Sequence, residues 1–152
     1  LFGMIQQKFG IVPNLFRVLG HHPAVLSGFL QLYEAIQHDL PARWREMAYL
    51  RASSINHCKY CMHYHRMAAA GAGLTENEVD AVVTGAMSCF DERDGAVLHF
   101  ADQLTRTTEV DAATIQKLRE FLSESQFVTL AMTVAVAGVT NRINHACGVS
   151  LP

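Results

Sequence analysis

Apolar side chains recur every three to four residues through most of this chain, the spacing that brings them onto one face of an α-helix. Alternating runs of β-branched residues bounded by turns, which are typical of strands, are nearly absent. The prolines and several glycines fall between the helical patterns and separate them. The sequence therefore predicts an all-α fold.

Residues that favour helix ends divide the chain into segments. Pro41 suits the first position of a helix, and Thr75 with Glu78 and Ser123 with Gln126 have the spacing of capping boxes. The predicted helices cover residues 2–9, 15–19, 24–37, 42–55, 56–70, 76–84, 91–107, 112–122 and 124–147.

The length and composition indicate one compact domain. A chain of 152 residues suits a single domain, so we expect one over residues 1–152. Hydrophobic residues make up 50% of the chain and charged residues 17%, against about 25% charged in an average soluble domain. This composition excludes intrinsic disorder. It also predicts a homo-oligomer, because interfaces between obligate subunits are poor in charge.

The charge and the cysteine count exclude several classes of partner. The net charge is −2, so the chain has no electrostatic footprint for nucleic acid or an anionic membrane. Its longest apolar run, Phe127–Val139, is shorter than the about 20 residues that cross a bilayer. Four cysteines are too few for a secreted disulfide scaffold. We therefore expect a cytoplasmic protein with neither nucleic-acid nor membrane partners.

The candidate chemistry lies in Cys58, Cys61 and His65, a CxxC pair followed by a histidine. If a helix begins near Cys58, the three side chains lie within about 60° of arc, since each helical residue turns about 100°. Cys58 is then in the first turn, where the helix dipole favours a thiolate, and His65 is one turn from Cys61 as a proton acceptor. Because a CxxC pair can cycle between dithiol and disulfide, the spacing favours redox chemistry.

Two other interpretations of the motif stay open at this point. The two thiols and His65 could bind zinc with a further histidine, which would make the protein a zinc-stabilised helical binding module. The same residues could also serve only helix packing. No second CxxC strengthens the zinc interpretation, so we expect no bound metal. Cys89 and Cys147 have no motif partner, and we expect both to be buried as small hydrophobic side chains.

Residues around the motif add a more specific pattern. Glu46 stands twelve residues before Cys58, and His65 stands four after Cys61. Within segment 45–65, this pattern resembles the core of the AhpD-like alkylhydroperoxidases of the carboxymuconolactone decarboxylase superfamily. The resemblance implies an AhpD-like helical fold with a redox core over about residues 41–73, and it points to the peroxidase-related branch. It continues more weakly through Leu74-Thr75-Glu76, Phe90-Asp91, Arg93-Asp94, Phe100-Ala101-Asp102 and Asn141-Arg142.

The resemblance also implies a role for each motif residue. Cys61 is similar to the sulfur that attacks a peroxide and becomes a sulfenic acid. Cys58 is similar to the more accessible thiol, which closes a Cys58–Cys61 disulfide and exchanges with an external reductant. His65 would accept the proton of Cys61, and Glu46 would orient His65. Without the resemblance, the expected role of Glu46 is an ion pair with a nearby arginine.

Two positions depart from the family pattern. Tyr60 stands between the cysteines where the best-studied branch has a histidine, and a tyrosine cannot accept a proton near neutral pH. His57 stands before Cys58, where a small residue is common. It could tune the Cys58 thiolate or simply face solvent, so both residues are candidate supporting residues of the site.

The function implied by the resemblance is a thiol-dependent peroxidase or disulfide reductase in antioxidant defence. Such a protein reduces alkyl hydroperoxides or recycles a partner peroxidase. The resemblance implies no bound cofactor, an external dithiol reductant of the lipoamide type, and a homotrimer or homohexamer. A decarboxylase or related proton-transfer enzyme of the same superfamily is the alternative, although such members generally lack the CxxC pair.

Overall fold

The computed structural model describes residues 1–152, which form nine α-helices and no strand. This confirms the all-α prediction. The helices are α1 (Phe2–Phe9), α2 (Asn14–Leu19), α3 (Pro23–Ala35), α4 (Ala42–Ile55), α5 (Lys59–Gly71), α6 (Glu76–Thr84), α7 (Glu92–Thr107), α8 (Ala112–Arg119) and α9 (Glu124–Ala146).

Most helix ends lie within two residues of the predicted ones, because the expected caps are present. The hydroxyls of Thr75 and Ser123 each accept a backbone N–H three residues further on, and Glu78 and Gln126 return a bond to the cap residue. Both capping boxes are therefore confirmed. One of the two larger differences is at the start of α5, which begins three residues later than predicted. The other is the end of α8, three residues earlier than predicted.

Helix α4 is the centre of the fold and packs against α5, α6, α7 and α9. Every side chain from Glu46 to Ser53 is buried, which requires neighbours on all faces of a helix. A large apolar core includes both motif cysteines, and a smaller one joins α4 to α6 and α7. The first residues of the candidate site thus lie on the most enclosed helix of the protein.

Charged side chains of α4 are paired with neighbouring helices, and one of them, Arg51, is buried. The Arg51 guanidinium donates to the Asp102 carboxylate of α7. Arg43 Nη2 lies 2.6 Å from a carboxylate oxygen of Glu78 and 2.7 Å from one of Asp94. Because removing one partner of a buried pair leaves an uncompensated charge, these contacts fix α4 against α6 and α7.

A three-residue link, Asn56-His57-Cys58, carries the chain from α4 to α5. The N–H of His57 donates to the carbonyl of Ser54 at 3.0 Å, and the N–H of Cys58 donates to that of Ser53 at 2.9 Å. This is the bond pattern of a Schellman motif. His57 has φ 54°, a left-handed conformation that the motif normally gives to glycine. The link brings Cys58 directly to the N-cap of α5.

Helix α9 has 23 residues and has polar side chains on its buried face. Among them, Thr140, Asn141 and Asn144 point towards α4 and α5, where Asn141 donates to the Ser53 hydroxyl at 3.0 Å. The polar face of α9 therefore forms one wall of the region around the motif.

No helix of the structure has both the length and the apolar character that crossing a membrane requires.

Two cysteines lie away from the motif. Cys89, in the turn before α7, and Cys147, just after α9, are both exposed. The prediction that they are buried is wrong, because each lies beyond a helix end at the surface rather than on a packed helix face. Because both thiols are accessible, an assay of the motif cysteines requires a variant in which Cys89 and Cys147 are replaced.

Candidate active site

Cys58 caps the N-terminus of α5, and its Sγ accepts the backbone N–H of Cys61 at 3.3 Å. N-cap acceptors are normally side-chain oxygens, so here a sulfur lies at the positive end of the helix dipole. Both residues are free thiols and both are buried, with 1% of Cys58 and 4% of Cys61 exposed. The expectation that Cys58 is the more accessible thiol is wrong, because the cap geometry folds its side chain back over α5.

Asn144 of α9 joins the two sulfurs. Its Nδ2 lies 3.0 Å from Sγ of Cys61 and 3.6 Å from Sγ of Cys58. Because the amide nitrogen donates, it stabilises negative charge on either sulfur. The Oδ1 atom of the same side chain is buried without a hydrogen-bond partner. Buried polar atoms are nearly always paired. The side-chain hydrogen bonds of Asn144 therefore go to the two sulfurs alone.

The surroundings of the two thiols separate their pKa values. A hydrogen bond from the Cys61 side chain is the largest effect on Cys58; burial opposes it, and the Cys61 backbone N–H, Asn144 and the charge of His145 add to it. Together they lower the pKa of Cys58 to about 6. The pKa of Cys61 is raised, chiefly because its side chain donates to Cys58 and also because it is buried. At neutral pH the pair therefore has a thiolate at Cys58 and a proton on Cys61.

Glu46 and His65 form a polar pair beside the thiols. Nδ1 of His65 donates to Oε2 of Glu46 at 2.7 Å, and Arg45 Nε donates to the other carboxylate oxygen at 3.4 Å. Glu46 thus has both an arginine partner and a histidine partner. The Tyr49 ring stacks on the imidazole with centroids 3.6 Å apart and planes 15° from parallel. These contacts fix the ring and leave Nε2 for proton transfer.

No hydrogen bond joins His65 to Cys61. Besides Asn144 and Cys58, a neighbour of the Cys61 sulfur is Thr140, whose Oγ1 lies 3.9 Å away and forms a 2.6 Å hydrogen bond with the Tyr49 hydroxyl. Burial raises the pKa of Tyr49, so its hydroxyl stays neutral. The expected proton acceptor of Cys61 is therefore near the sulfur without touching it, and the two side chains meet only across a cavity.

Cys61 and His65 open onto a cavity of about 210 Å³. No lysine or arginine lines it. The Tyr64 hydroxyl is buried without a hydrogen-bond partner. The walls are mostly aromatic and include Phe9, Phe16, Phe29, Tyr33, Tyr49, Tyr60 and Tyr64.

Cys58 does not line the aromatic cavity but a separate depression at the surface. A surface depression of about 250 Å³ reaches this thiol, whereas Cys61 does not line it and Cys58 does not line the aromatic cavity. Tyr60 and Asn144 line both spaces and form the partition between them. The depression is lined by His57, Cys58, Lys59, Tyr60, Asn144, His145 and Val149.

The two residues that depart from the family pattern have different positions in the site. Tyr60 is buried, and its hydroxyl accepts the backbone N–H of Leu15 at 3.2 Å. Burial raises the pKa of Tyr60 to about 12, so it anchors α2 and transfers no proton near neutrality. The His57 side chain is exposed. The histidine whose charge acts on Cys58 is His145, which donates to a backbone carbonyl of the α4–α5 link at 2.8 Å.

The side chains do not form a metal site. No three His, Cys, Asp or Glu residues come together in an arrangement that could bind a metal ion. The nitrogen Nδ1 of His65 is occupied by Glu46. The zinc interpretation of the motif therefore lacks a ligand set.

Asn144, Thr140 and Tyr49 were missed by the sequence analysis. A signal for the first two exists, because they are polar residues four apart on one face of an otherwise apolar helix. Buried polar groups need partners, so such a face predicts a polar site opposite. Nothing in the sequence marks Tyr49, whose role depends on the angle between α4 and α5.

The site combines two buried free thiols with a Glu–His pair inside an all-helical fold. The family model of the carboxymuconolactone decarboxylase family matches residues 23–103, which contain α4, the CxxC pair and His65. The chain belongs to this family.

Solved structures confirm the AhpD-like fold. A peroxidase-related protein from Silicibacter sp. TM1040 is 26% identical with a TM-score of 0.88, over 98% of this chain and 81% of its own. A peroxidase-related protein with the alkylhydroperoxidase AhpD core, from Ralstonia eutropha JMP134, is 27% identical with a TM-score of 0.88, over 99% and 83%. The debrominase Bmp8, in complex with 2,3,4-tribromopyrrole, is 22% identical with a TM-score of 0.84, over 99% and 83%, and is similar in fold alone. No curated protein matches the chain.

Proposed function

We propose that this protein is a dithiol peroxidase that reduces organic hydroperoxides in antioxidant defence through a Cys58–Cys61 disulfide. The position of Cys61 carries the proposal, because its sulfur lines an aromatic cavity together with His65 and has a second thiol as neighbour. Two relatives above 25% identity are named peroxidase-related proteins, which supports the same chemistry.

In the first step the Cys61 sulfur attacks a peroxide oxygen, so an S–O bond forms and the O–O bond breaks. The attacking species is the thiolate, which arises when the proton of Cys61 moves to the Cys58 thiolate. Asn144, 3.0 Å from the Cys61 sulfur, stabilises the charge there. Nε2 of His65, held in place by Glu46, takes the peroxide proton and returns it to the departing alkoxide, which leaves as the alcohol.

In the second step Cys58 resolves the oxidised Cys61. Cys58 first gives its proton to the sulfenate, and its thiolate then attacks the Cys61 sulfur. The disulfide forms, and the displaced hydroxide takes a proton from solvent and leaves as water. The lowered pKa of Cys58 favours the loss of this proton at neutral pH. An external dithiol then reduces the disulfide, with no bound cofactor; recycling of a partner peroxidase uses the same disulfide exchange.

The proposal includes a homo-oligomer, a trimer or hexamer, in the cytoplasm. Val128 and Val139 of α9 are about half exposed, at 58% and 48%. They are eleven residues apart, which places them on the same face after three turns. Apolar residues on one exposed face suit a subunit contact. Light scattering at micromolar concentration tests this, since a single mass of one chain contradicts it.

Reductive debromination is a second candidate, favoured by the aromatic walls of the cavity. The debrominase Bmp8 has the same fold, and flat rings such as those of Tyr33 and Tyr60 suit a planar halogenated ring. In such a reaction a C–Br bond is replaced by C–H. The two thiols supply the electrons, become a disulfide, and hydrogen bromide is released.

A decarboxylase of the same family is less well supported. A decarboxylation substrate carries at least one carboxylate, and a buried carboxylate needs a charged or strongly donating partner. The aromatic cavity has no lysine or arginine on its walls. Glu46, beneath His65, adds a negative charge beside the cavity rather than a positive one.

Sulfenic acid trapping tests the proposed peroxidase. The parent protein for the assay is the Cys89→Ser/Cys147→Ser variant, which keeps only the motif thiols. Treated with cumene hydroperoxide, it should lose two hydrogens in the peptide that contains Cys58 and Cys61. With dimedone present, Cys58→Ser should give an adduct at Cys61, and Cys61→Ser should give none. An adduct only in Cys61→Ser reverses the two roles. If the protein turns over no peroxide but debrominates 2,3,4-tribromopyrrole, the second candidate function, reductive debromination, is the correct one.

A further inference from the structure

The two motif thiols open onto two spaces of opposite character, although they are only three residues apart. Resting on the dithiol function above, we propose that oxidant and reductant use separate entrances, and that the depression over Cys58 binds a small thiol reductant that carries a carboxylate.

The partition between the spaces supports two entrances. Tyr60 is fixed by its bond from the Leu15 N–H, and Asn144 is fixed by its bonds to both sulfurs. Both are buried, so the wall between the aromatic cavity and the depression does not depend on mobile surface side chains. A molecule in the cavity therefore reaches Cys61, and a molecule in the depression reaches Cys58.

The charge of the depression points to the class of ligand. Lys59, His57 and His145 line it, no acidic side chain does, and none of the three forms an ion pair within the chain. The N-terminus of α5 adds its dipole on the same side. Lys59 is the one lining residue with a fixed positive charge, and no carboxylate of the depression offsets it, although the whole chain has a net charge of −2.

Two further features favour a slender thiol over a folded protein surface. Cys58 is only 1% exposed at the bottom of the depression, so an attacking sulfur must be carried inwards on a narrow molecule. Tyr60 and Asn144, which line the depression beside this thiol, are themselves buried, so the walls near the sulfur are fixed. A carboxylate further out on the reductant would then lie among Lys59 and the histidines.

The exchange balances as two thiol–disulfide steps. The reductant thiolate attacks Sγ of Cys58, the Cys58–Cys61 bond breaks, and Cys61 leaves as a thiolate that takes a proton. Nδ2 of Asn144, 3.0 Å from that sulfur, stabilises the leaving charge. The second thiol of the reductant then displaces Cys58 and forms the reductant disulfide. Two electrons and two protons pass to the protein.

A matched pair of dithiols tests the charge preference. Dihydrolipoate and dihydrolipoamide have the same dithiol and differ only in a carboxylate against an amide. The Cys58–Cys61 disulfide is prepared with diamide in the Cys89→Ser/Cys147→Ser protein, and the rate constant for its reduction by each reagent is measured by stopped flow. We expect dihydrolipoate to react about threefold faster or more, the effect of one charge about 7 Å away in water. Added salt should reduce the difference.

Variants separate the two entrances. Lys59→Gln should lower the dihydrolipoate preference about threefold, whereas Lys117→Gln, a lysine change away from the depression, should leave it unchanged. Ala68→Phe, at an exposed position on the aromatic cavity, should slow oxidation by cumene hydroperoxide and leave reduction by dihydrolipoate as it was.

Two results overturn the inference while the dithiol function stands. One is an equal rate with both reagents in the parent and in Lys59→Gln. The other is slowing of both half-reactions by Ala68→Phe, which would mean a single entrance. If diamide forms no Cys58–Cys61 disulfide at all, as judged by mass, the proposed function itself fails and the inference fails with it.

Discussion

Replacing Cys61 by alanine should raise the pKa of Cys58, because the Cys61 side chain is the largest cause of its low value of about 6. Cys61→Ala removes the thiol that donates to the Cys58 sulfur but keeps the backbone N–H that also donates at 3.3 Å. Cys61→Ser is the matched control, since its hydroxyl can still donate. The two variants therefore differ in one hydrogen bond.

The size of the effect follows from the strength of that bond. A hydrogen bond to a charged group contributes about 1.5–3 kcal/mol, and 1.36 kcal/mol corresponds to one pKa unit. Cys61→Ala should therefore bring the pKa of Cys58 to between about 7 and 8. At pH 7 the ionised fraction of Cys58 then falls from about nine-tenths to between about one-tenth and one-half. Asn144→Ala should have a smaller effect, since Nδ2 is 3.6 Å from this sulfur.

Thiolate absorbance at 240 nm against pH, in the Cys89→Ser/Cys147→Ser background, measures these values. Circular dichroism of each variant checks that the fold is intact. A Cys58 that still titrates near 6 in Cys61→Ala refutes the reasoning and assigns its acidity to the helix N-terminus and His145. A thiol that titrates near 6 in Cys58→Ser reverses the assignment of the acidic sulfur.

The other predictions concern the Glu46–His65 pair, the aromatic cavity, the link between α4 and α5, and the reduction potential of the Cys58–Cys61 disulfide. His65→Ala should slow peroxide reduction about 100-fold or more, and Glu46→Gln should slow it less, in single-turnover assays with the helical content unchanged. Tyr64→Phe should raise the free energy of unfolding, seen as a higher Tm, because it removes a buried hydroxyl that has no hydrogen-bond partner. His57→Gly should raise the free energy of unfolding by about 1 kcal/mol, seen as a higher Tm, because glycine relieves the left-handed φ. Asn144→Ala should make the reduction potential more negative in equilibrium with glutathione.

Local rules explain why the helices could be predicted. Thr75 and Ser123 satisfy orphan N–H groups three residues away, and such bonds depend on nearby sequence alone. Placing the motif cysteines and His65 on one helical side needed only the period of a helix. The contact between His65 and Glu46 spans two helices, so only the family resemblance indicated it.

The remaining features depend on how three helices meet. Asn144 is 83 residues from Cys61, and its bond to that sulfur requires α9 to cross both α4 and α5. The exposure of Cys58 was mispredicted because a position at a helix start was taken as accessible, whereas its side chain folds back to cap α5. The left-handed φ of His57 was hidden too, since glycine is the usual residue at such a position.

The same contacts that lower the pKa of Cys58 also determine which redox state the fold favours. In the reduced state the Cys58 thiolate accepts from the Cys61 side chain, the Cys61 backbone N–H and Asn144. Oxidation removes the charge and the Cys61 thiol, so the first of these bonds is lost and the others weaken. The buried Nδ2 of Asn144, whose Oδ1 is already unpaired, loses its anionic acceptor as well. Because unpaired buried polar groups cost free energy, the reduced form gains stability over the disulfide. A dithiol whose reduced form is stabilised has a disulfide that is readily reduced. Reduction of the disulfide by a thiol in the depression is therefore thermodynamically favoured. It returns the protein to the state in which Cys61 faces the aromatic cavity as a thiol.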